Sequence, residues 1–197
     1  DSLETLNCYN NQLTTLDVSS NTLLQQLNCK NNQITGLDLK NATNLIALTA
    51  TNNEITYVYF ADSSHLDEIN LSNNKIDTLN LSNIIYLFSG ARFDLNNNLL
   101  TSLDLTKVYF EELYCDTNQL SSLDLRNNYN TYIYTISASG NPNLTCISVD
   151  DTAYSNTNWT GSNFQFDNHT SFSNNCDAKT YVPDDNFEAY LETHDAS

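Results

Sequence analysis

The chain has 197 residues with 7 Lys and Arg against 24 Asp and Glu, so its formal net charge is -17 and its pI is about 4.1. This balance excludes a nucleic-acid backbone as the natural partner, because no basic stripe is available to release counterions. No apolar run reaches the roughly 18 residues that a membrane-spanning helix needs, and no charged-then-apolar leader stands at the start. We therefore expect a soluble chain without a targeting signal of its own.

Asparagine is far more abundant than usual, with 32 residues in the chain. Such an excess is typical either of a disordered low-complexity chain or of a repeat fold in which Asn holds a backbone turn in every unit. Periodicity distinguishes these two interpretations.

A repeat of roughly 21 residues runs through most of the chain. The first unit, LETLNCYNNQLTTLDVSSNTL, begins at Leu3, and later units begin at Leu24, Leu45, Leu66, Gly90, Phe110 and Ile133. The fourth unit is longer by about three residues. Each unit holds two short stretches of alternating apolar and polar residues, which is the pattern of a β-strand. The sequence therefore predicts two strands in every unit.

One asparagine closes the first stretch of each unit. We predict that these residues form a buried ladder whose amides pair with backbone N–H and C=O groups of the turns, because buried backbone groups need partners. The predicted ladder consists of Asn11, Asn32, Asn53, Asn74, Asn98, Asn118 and Asn141.

Residues Leu3 to Val149 resemble the leucine-rich-repeat family, in the short 21-residue form found in secreted Bacteroidetes-type proteins. The resemblance implies a mostly β, right-handed solenoid in which each turn, or rung, contacts only its neighbours. Because no helix-length apolar pattern is present, we expect two parallel sheets on opposite faces. Residues 1–149 are then the repeat domain, about seven units without an N-terminal cap.

The same resemblance implies a C-terminal cap over residues 150–176, closed by a disulfide between Cys146 and Cys176 and covering the last rung with Trp159 and nearby aromatic residues. The PDDNFEAYL segment resembles the opening of the N-terminal cap of another repeat block. We therefore expect residues 177–197 to form a linker and a short helix. Residue 1 enters in mid-rung, so we expect a fragment of a longer protein and head-to-tail self-association through its uncapped first rung.

Three further cysteines, Cys8, Cys29 and Cys115, occupy an inward strand position and are interpreted as small core residues. A zinc site is the alternative, although the thiols occur once per rung and lack CxxC spacing.

The second strands carry an outward row of Asp17, Asp38, Asp104 and Asp124. Neighbouring carboxylates repel, so they are expected either to hydrogen-bond nearby Ser and Thr or to recruit a cation. A solvated acidic face is favoured over a calcium site, because no carbonyl-rich calcium loop accompanies the row.

No nucleophile with a base, no paired carboxylates in a cleft and no glycine-rich phosphate loop is recognisable. We therefore expect no enzyme activity, no resident cofactor and no metal. The outward positions of the first strands instead predict a wide polar face. Its most varied group is a candidate binding site, formed by Arg92, Asp94, Glu112, Tyr114 and Asp116.

A second candidate is a set of aromatic residues that stacking rungs bring to one side: Tyr57, Tyr59, Tyr86, Tyr109 and Tyr129. Exposed, they form a docking patch. Turned inward, they fill a core widened by the extra residues, and this interpretation is favoured.

These observations predict a non-enzymatic binding or adhesion module that recognises a glycan or a protein through a sheet face. The family resemblance implies a secreted or cell-surface location, with which a cap disulfide agrees. The alternative from another class is a structural spacer within a larger surface protein.

Overall fold

The structure is a computed structural model that describes residues 2–62, 66–82, 84 and 90–176. Short strands, most of three residues, alternate with tight turns, as the two alternating stretches per unit predict. In chain order the described strands are β1 (Thr5–Asn7), β2 (Gln26–Asn28), β3 (Gly36–Leu39), β4 (Ala47–Thr49), β5 (Tyr57–Phe60), β6 (Glu68–Asn70), β7 (Arg92–Asp94), β8 (Ser102–Asp104), β9 (Glu112–Tyr114), β10 (Ser122–Asp124), β11 (Thr135–Ser137), β12 (Cys146–Ser148), β13 (Phe164–Gln165) and β14 (Ser171–Ser173).

The first sheet contains eight strands in the order β1-β2-β4-β6-β7-β9-β11-β13, and every pair of neighbours is parallel. Its register places equivalent residues of successive units side by side, so that Leu27, Leu48 and Ile69 stack with no more than 1% of their surface exposed. The apolar interior is therefore a continuous column between the two walls of the solenoid.

The opposite wall consists of two separate sheets in the part of the chain that the structure describes. One sheet has two strands, β3-β5, and the other has four strands, β14-β12-β10-β8. The division falls at residues 78–80 of the fourth unit, where no strand is formed. The predicted mostly β solenoid with two parallel walls is confirmed. The expectation of two strands in every unit is wrong for the first and fourth units, because residues 15–18 and 78–80 form no strand.

Six of the seven ladder asparagines bridge two rungs. Nδ2 of Asn53 donates to the carbonyls of Cys29 and Ala50, at 3.1 Å each, while its Oδ1 accepts the N–H of Ile34 at 3.0 Å. The same three contacts recur at Asn32, Asn74, Asn98, Asn118 and Asn141. Turn backbone that would otherwise be buried without partners is thereby satisfied.

The first two asparagines of the ladder, Asn11 and Asn32, are not fully buried as predicted. Asn11 is exposed, and its Nδ2 donates only within its own rung, to the carbonyls of Cys8 and Tyr9. Asn32 is half-buried. The reason is that no rung covers Asn11 among the described residues.

The cap continues both walls, because β13 pairs with β11 and β14 pairs with β12. Helix α1 (Thr152–Asn158) precedes both strands in the chain, and its N-terminus is capped by Asp151, which accepts the N–H of Tyr154. Trp159 is 4% exposed and stacks on Phe164 with ring centroids 5.8 Å apart. The aromatic cover expected over the last rung is therefore present.

Cys146 and Cys176 form a disulfide with their α-carbons 5.8 Å apart, the pairing that the family resemblance implied. The linker and terminal helix expected over residues 177–197 lie outside the described residues. No helix in the described ranges has the length and apolarity to cross a bilayer.

The three remaining cysteines lie on the inner side of the first wall. Cys29 and Cys115 are fully buried, and Cys8 is half-buried on the first rung. Burial raises the pKa of the Cys29 thiol to about 12. Among the described residues no three His, Cys, Asp or Glu side chains are grouped as metal ligands.

Candidate binding surface

The outer face of the first sheet is a broad, continuous surface. Each three-residue strand turns its middle residue into the core and its first and third residues outward, since side chains alternate along a strand. Eight strands at about 4.8 Å spacing give a face roughly 34 Å long. The candidate residues predicted from the sequence lie at its centre, on β7 and β9 and directly after β9.

Three of these side chains form a closed cluster, which we call the Arg92 cluster: Arg92, Glu112 and Tyr114. Arg92 lies opposite Glu112 in the register, with Nη1 3.4 Å from Oε2. The Arg92 guanidinium also lies 4.8 Å from the centre of the Tyr114 ring. Tyr114 completes the cluster by donating its hydroxyl hydrogen to Oε2 of Glu112 at 3.0 Å.

These contacts fix the positions of the three side chains but add little to the stability of the fold. The side chains of Arg92 and Glu112 are 48% and 36% exposed, and an ion pair so solvated contributes at most about 1 kcal/mol. Burial and, after it, the hydrogen bond to Glu112 raise the pKa of Tyr114. The phenol therefore stays protonated at neutral pH, and the cluster presents one cation, one anion and one aromatic ring in fixed relative positions.

The other two candidate residues are engaged with the backbone. Oδ1 of Asp116 accepts the hydroxyl of Ser137 at 2.8 Å and the N–H of Ser139 at 2.7 Å on the next rung. Oδ1 of Asp94 accepts the N–H of Asn96 at 3.3 Å, and burial raises the pKa of this carboxyl. All five predicted residues thus come together, but Asp94 and Asp116 hold the turns that present the Arg92 cluster.

The acidic row of the second wall is also used by the backbone. At each member the side-chain oxygen accepts the N–H of the residue two positions later, as shown by Asp17, Asp38, Asp104 and Asp124. Asp104 accepts the Thr106 hydroxyl as well, and these two hydrogen bonds lower its pKa. The row therefore forms hydrogen bonds with nearby Ser, Thr and backbone groups, which is one of the two arrangements expected for it.

Three of the aromatic residues do not fill the core, so the favoured inward interpretation is wrong for Tyr57, Tyr59 and Tyr109, whereas Tyr129 is half-buried. Tyr57, Tyr59 and Tyr109 are 45%, 48% and 44% exposed. On β5 the tyrosines alternate with the buried Val58 and Phe60, which leaves the rings outside. Tyr86 lies outside the described residues.

The described tyrosines form two ring groups. Tyr57 and Tyr59 have ring centroids 5.0 Å apart, whereas Tyr109 pairs with Tyr129 at 5.1 Å, and Tyr129 stacks on Tyr132 at 4.5 Å. Tyr109, Tyr129 and Tyr132 lie in the segments that follow β8 and β10, whereas Tyr57 and Tyr59 lie on β5.

A second asparagine row was not recognised from the sequence. The residue before each ladder asparagine has a positive φ. It lies between 54° and 57° at Asn10, Asn31, Asn52, Asn73, Asn97 and Thr117, and it is 70° at Gly140 before Asn141. The exposed amides also bond between rungs, as Asn52 does by donating to Asn31 at 2.7 Å. The Asn-Asn pair that recurs with the repeat period could have indicated this row, because Asn tolerates the left-handed conformation better than most residues.

These features define a leucine-rich-repeat-like solenoid. The chain is similar to the functional domain of InlJ from Listeria monocytogenes, with a TM-score of 0.54 and 24% sequence identity over 85% of this chain. The match covers 44% of the InlJ chain, so the present chain spans less than half of that structure. No protein-family model and no curated protein matches the sequence.

The InlJ domain includes a cysteine ladder. In the present chain the inward position directly after the first strand of a rung holds cysteine at Cys8, Cys29 and Cys115, and Ala or Leu on the other rungs. At this identity the likeness establishes the fold alone.

Proposed function

We propose that this chain is a non-enzymatic binding module that recognises a protein partner through the outer face of the first sheet, with the Arg92 cluster as its centre. The observation that carries the proposal is the closed set of contacts among Arg92, Glu112 and Tyr114. Side chains that are already ordered lose little conformational entropy on binding. Arg and Tyr are also the residue types that most often dominate binding energy at interfaces.

The shape of the face favours a protein as its partner. A standard interface buries about 800 Å² on each partner, and an eight-stranded wall offers a surface of that order. The partially exposed pair of Arg92 and Glu112 supplies charges of both signs for orientation. The fold likeness to InlJ agrees with a surface module of the binding or adhesion type.

The proposed location is secreted or cell-surface, as part of a larger protein. The Cys146–Cys176 disulfide supports it, because such bonds persist in oxidising compartments. The net charge of -17 adds solubility and disfavours direct contact with anionic surfaces.

Head-to-tail self-association through the first rung stays a separate prediction. Leu3 is 37% exposed and Leu6 half-buried, whereas Leu24 and Leu27 on the next rung are at most 1% exposed. Analytical ultracentrifugation across a concentration series tests it, and a monomer at every concentration contradicts it.

The binding proposal is tested by surface plasmon resonance against an array of purified extracellular protein domains. We expect at least one domain to bind wild-type protein and to bind Arg92→Ala and Tyr114→Ala about tenfold more weakly. Tyr59→Ala is the matched control, because Tyr59 is an exposed tyrosine with a cation, Lys40, against its ring, and it lies on the opposite wall. Binding that survives both cluster variants contradicts the site, and the absence of any binding favours the structural spacer.

A further inference from the structure

The second wall carries two grooves that share one tyrosine. The first groove, of about 410 Å³, is lined by Tyr57 and Tyr59 on one side and by Ser102 and Asp104 on the other. The second, of about 420 Å³, lies on the opposite side of Tyr57 and extends to Asp17 on the first rung. Together they make a track along the solenoid axis over five rungs, and each volume falls in the range of small-molecule sites.

The first groove lies at the interruption of the second wall. Two large rings project from β5, while the next rung offers only Thr78 and Asn80 at the equivalent outward positions and forms no strand. The two tyrosine rings therefore form one side of the groove, and the short polar side chains of the following rung form its base.

The ring of Tyr57 is laid across the sheet by a neighbouring glycine. Gly36 is the direct register partner of Tyr57, and a Cβ on Gly36 would lie 2.2 Å from Cζ of the ring. One ring face thus lies against the backbone of β3, and the side chain stays 45% exposed on its other side. Tyr59 is held by Lys40, whose Nζ lies 4.3 Å from the ring centre and 3.7 Å from Oδ2 of Asp38.

We propose that this track binds an extended neutral oligosaccharide, with Tyr57 stacked against a sugar ring at its middle. Tyrosine faces pack against the C–H surface of a pyranose, and the phenol remains available for hydrogen bonds. Sugar hydroxyls donate and accept at once, which suits a lining of Ser and Thr hydroxyls, the Asn80 amide and the Asp104 carboxylate. Acidic sugars are disfavoured, because the grooves are lined by Asp17, Asp38 and Asp104 against Lys40 and Lys107.

This site is independent of the proposed protein-binding face, because β3 and β5 belong to the opposite wall. Isothermal titration calorimetry of the full chain with cellohexaose, laminarihexaose, xylohexaose and mannohexaose tests the proposal, with hexagalacturonate as the acidic probe. We expect at least one neutral hexasaccharide to bind and Tyr57→Ala to weaken that binding about tenfold.

Gly36→Ala is the sharper variant, since the added methyl displaces the Tyr57 ring without removing it, and we expect a similar loss. Tyr134→Ala is the matched control, because Tyr134 is 62% exposed and lines neither groove. Tyr114→Ala reports on the other wall and should leave sugar binding unchanged. A bound hexasaccharide should also protect Tyr57 and Tyr59 of wild-type protein from nitration, but not Tyr134.

Four results would overturn the site: no neutral hexasaccharide bound at concentrations up to about 1 mM, binding of hexagalacturonate alone, sugar binding that survives both Tyr57→Ala and Gly36→Ala, or a bound hexasaccharide that leaves Tyr57 and Tyr59 open to nitration. The nitration experiment needs no variant, so a folding defect in either substitution leaves the proposal open to refutation.

Discussion

The side-chain oxygen of Asn74 accepts the backbone N–H of Ile55, one rung earlier, at 3.0 Å. Its amide nitrogen donates to the carbonyls of Ala50 and Leu71, also at 3.0 Å. A single side chain therefore satisfies one N–H and two C=O groups that have no access to water. The same arrangement, repeated along the chain, ties each rung to the next.

Replacing Asn74 with Ala should lower the free energy of unfolding by about 3 kcal/mol, because the variant leaves buried backbone groups without partners. Asn74→Asp should also destabilise at neutral pH, since a carboxylate cannot donate to the two carbonyls. Urea denaturation measures both effects. Asn11→Ala is the control at the exposed end of the ladder, and a cost there equal to that at Asn74 contradicts the role of burial.

Thr117 occupies the row of left-handed residues with φ of 55°, where the earlier units have Asn and the next has Gly140. A β-branched side chain is strained in this conformation. Thr117→Asn should therefore raise the free energy of unfolding by about 1 kcal/mol. The measurement is chemical denaturation beside Thr101→Asn, an exposed threonine outside this row, and equal effects of the two changes would refute the strain argument.

The Cys146–Cys176 disulfide closes a loop with a sequence separation of 30 residues. By the chain-entropy relation its reduction should cost about 3.5 kcal/mol of stability. Urea denaturation with and without reductant measures this difference. In the double variant Cys146→Ser, Cys176→Ser the reductant should have no effect, and a comparable shift in that variant would show that another bond is responsible.

The hydrogen bonds from Thr106 lower the pKa of Asp104 in the folded state. A depressed folded pKa contributes stability that is fully present above the unfolded pKa, about 3.9, and is lost as pH falls through the folded pKa. Asp104→Asn keeps a side-chain oxygen acceptor but does not titrate. We therefore expect the variant to lose less thermal stability than wild type between about pH 4 and pH 2. Parallel melting curves measure this difference, with Asp67→Asn as an exposed control, and identical acid profiles for Asp104→Asn and wild type contradict the prediction.

Much of the architecture was predictable because a repeat has the same environment on every rung. Alternation within each unit identifies inward positions, so the sequence predicts Cys29 and Cys115 as core residues, and both are fully buried. The ladder asparagines followed from the same periodicity. The five central residues of the first face could also be grouped, since a parallel register brings equivalent positions side by side.

The tertiary structure alone decided what the outward side chains do. Their neighbours come from rungs about 21 residues away, and their rotamers depend on the size of those neighbours. Asp116 accepts hydrogen bonds from Ser137 and Ser139 and so stabilises a turn. The ring of Tyr57 lies against β3 because Gly36 has no side chain there. Inward positions are dictated by a period that the chain itself contains, whereas outward contacts depend on which unlike residues the coil places together.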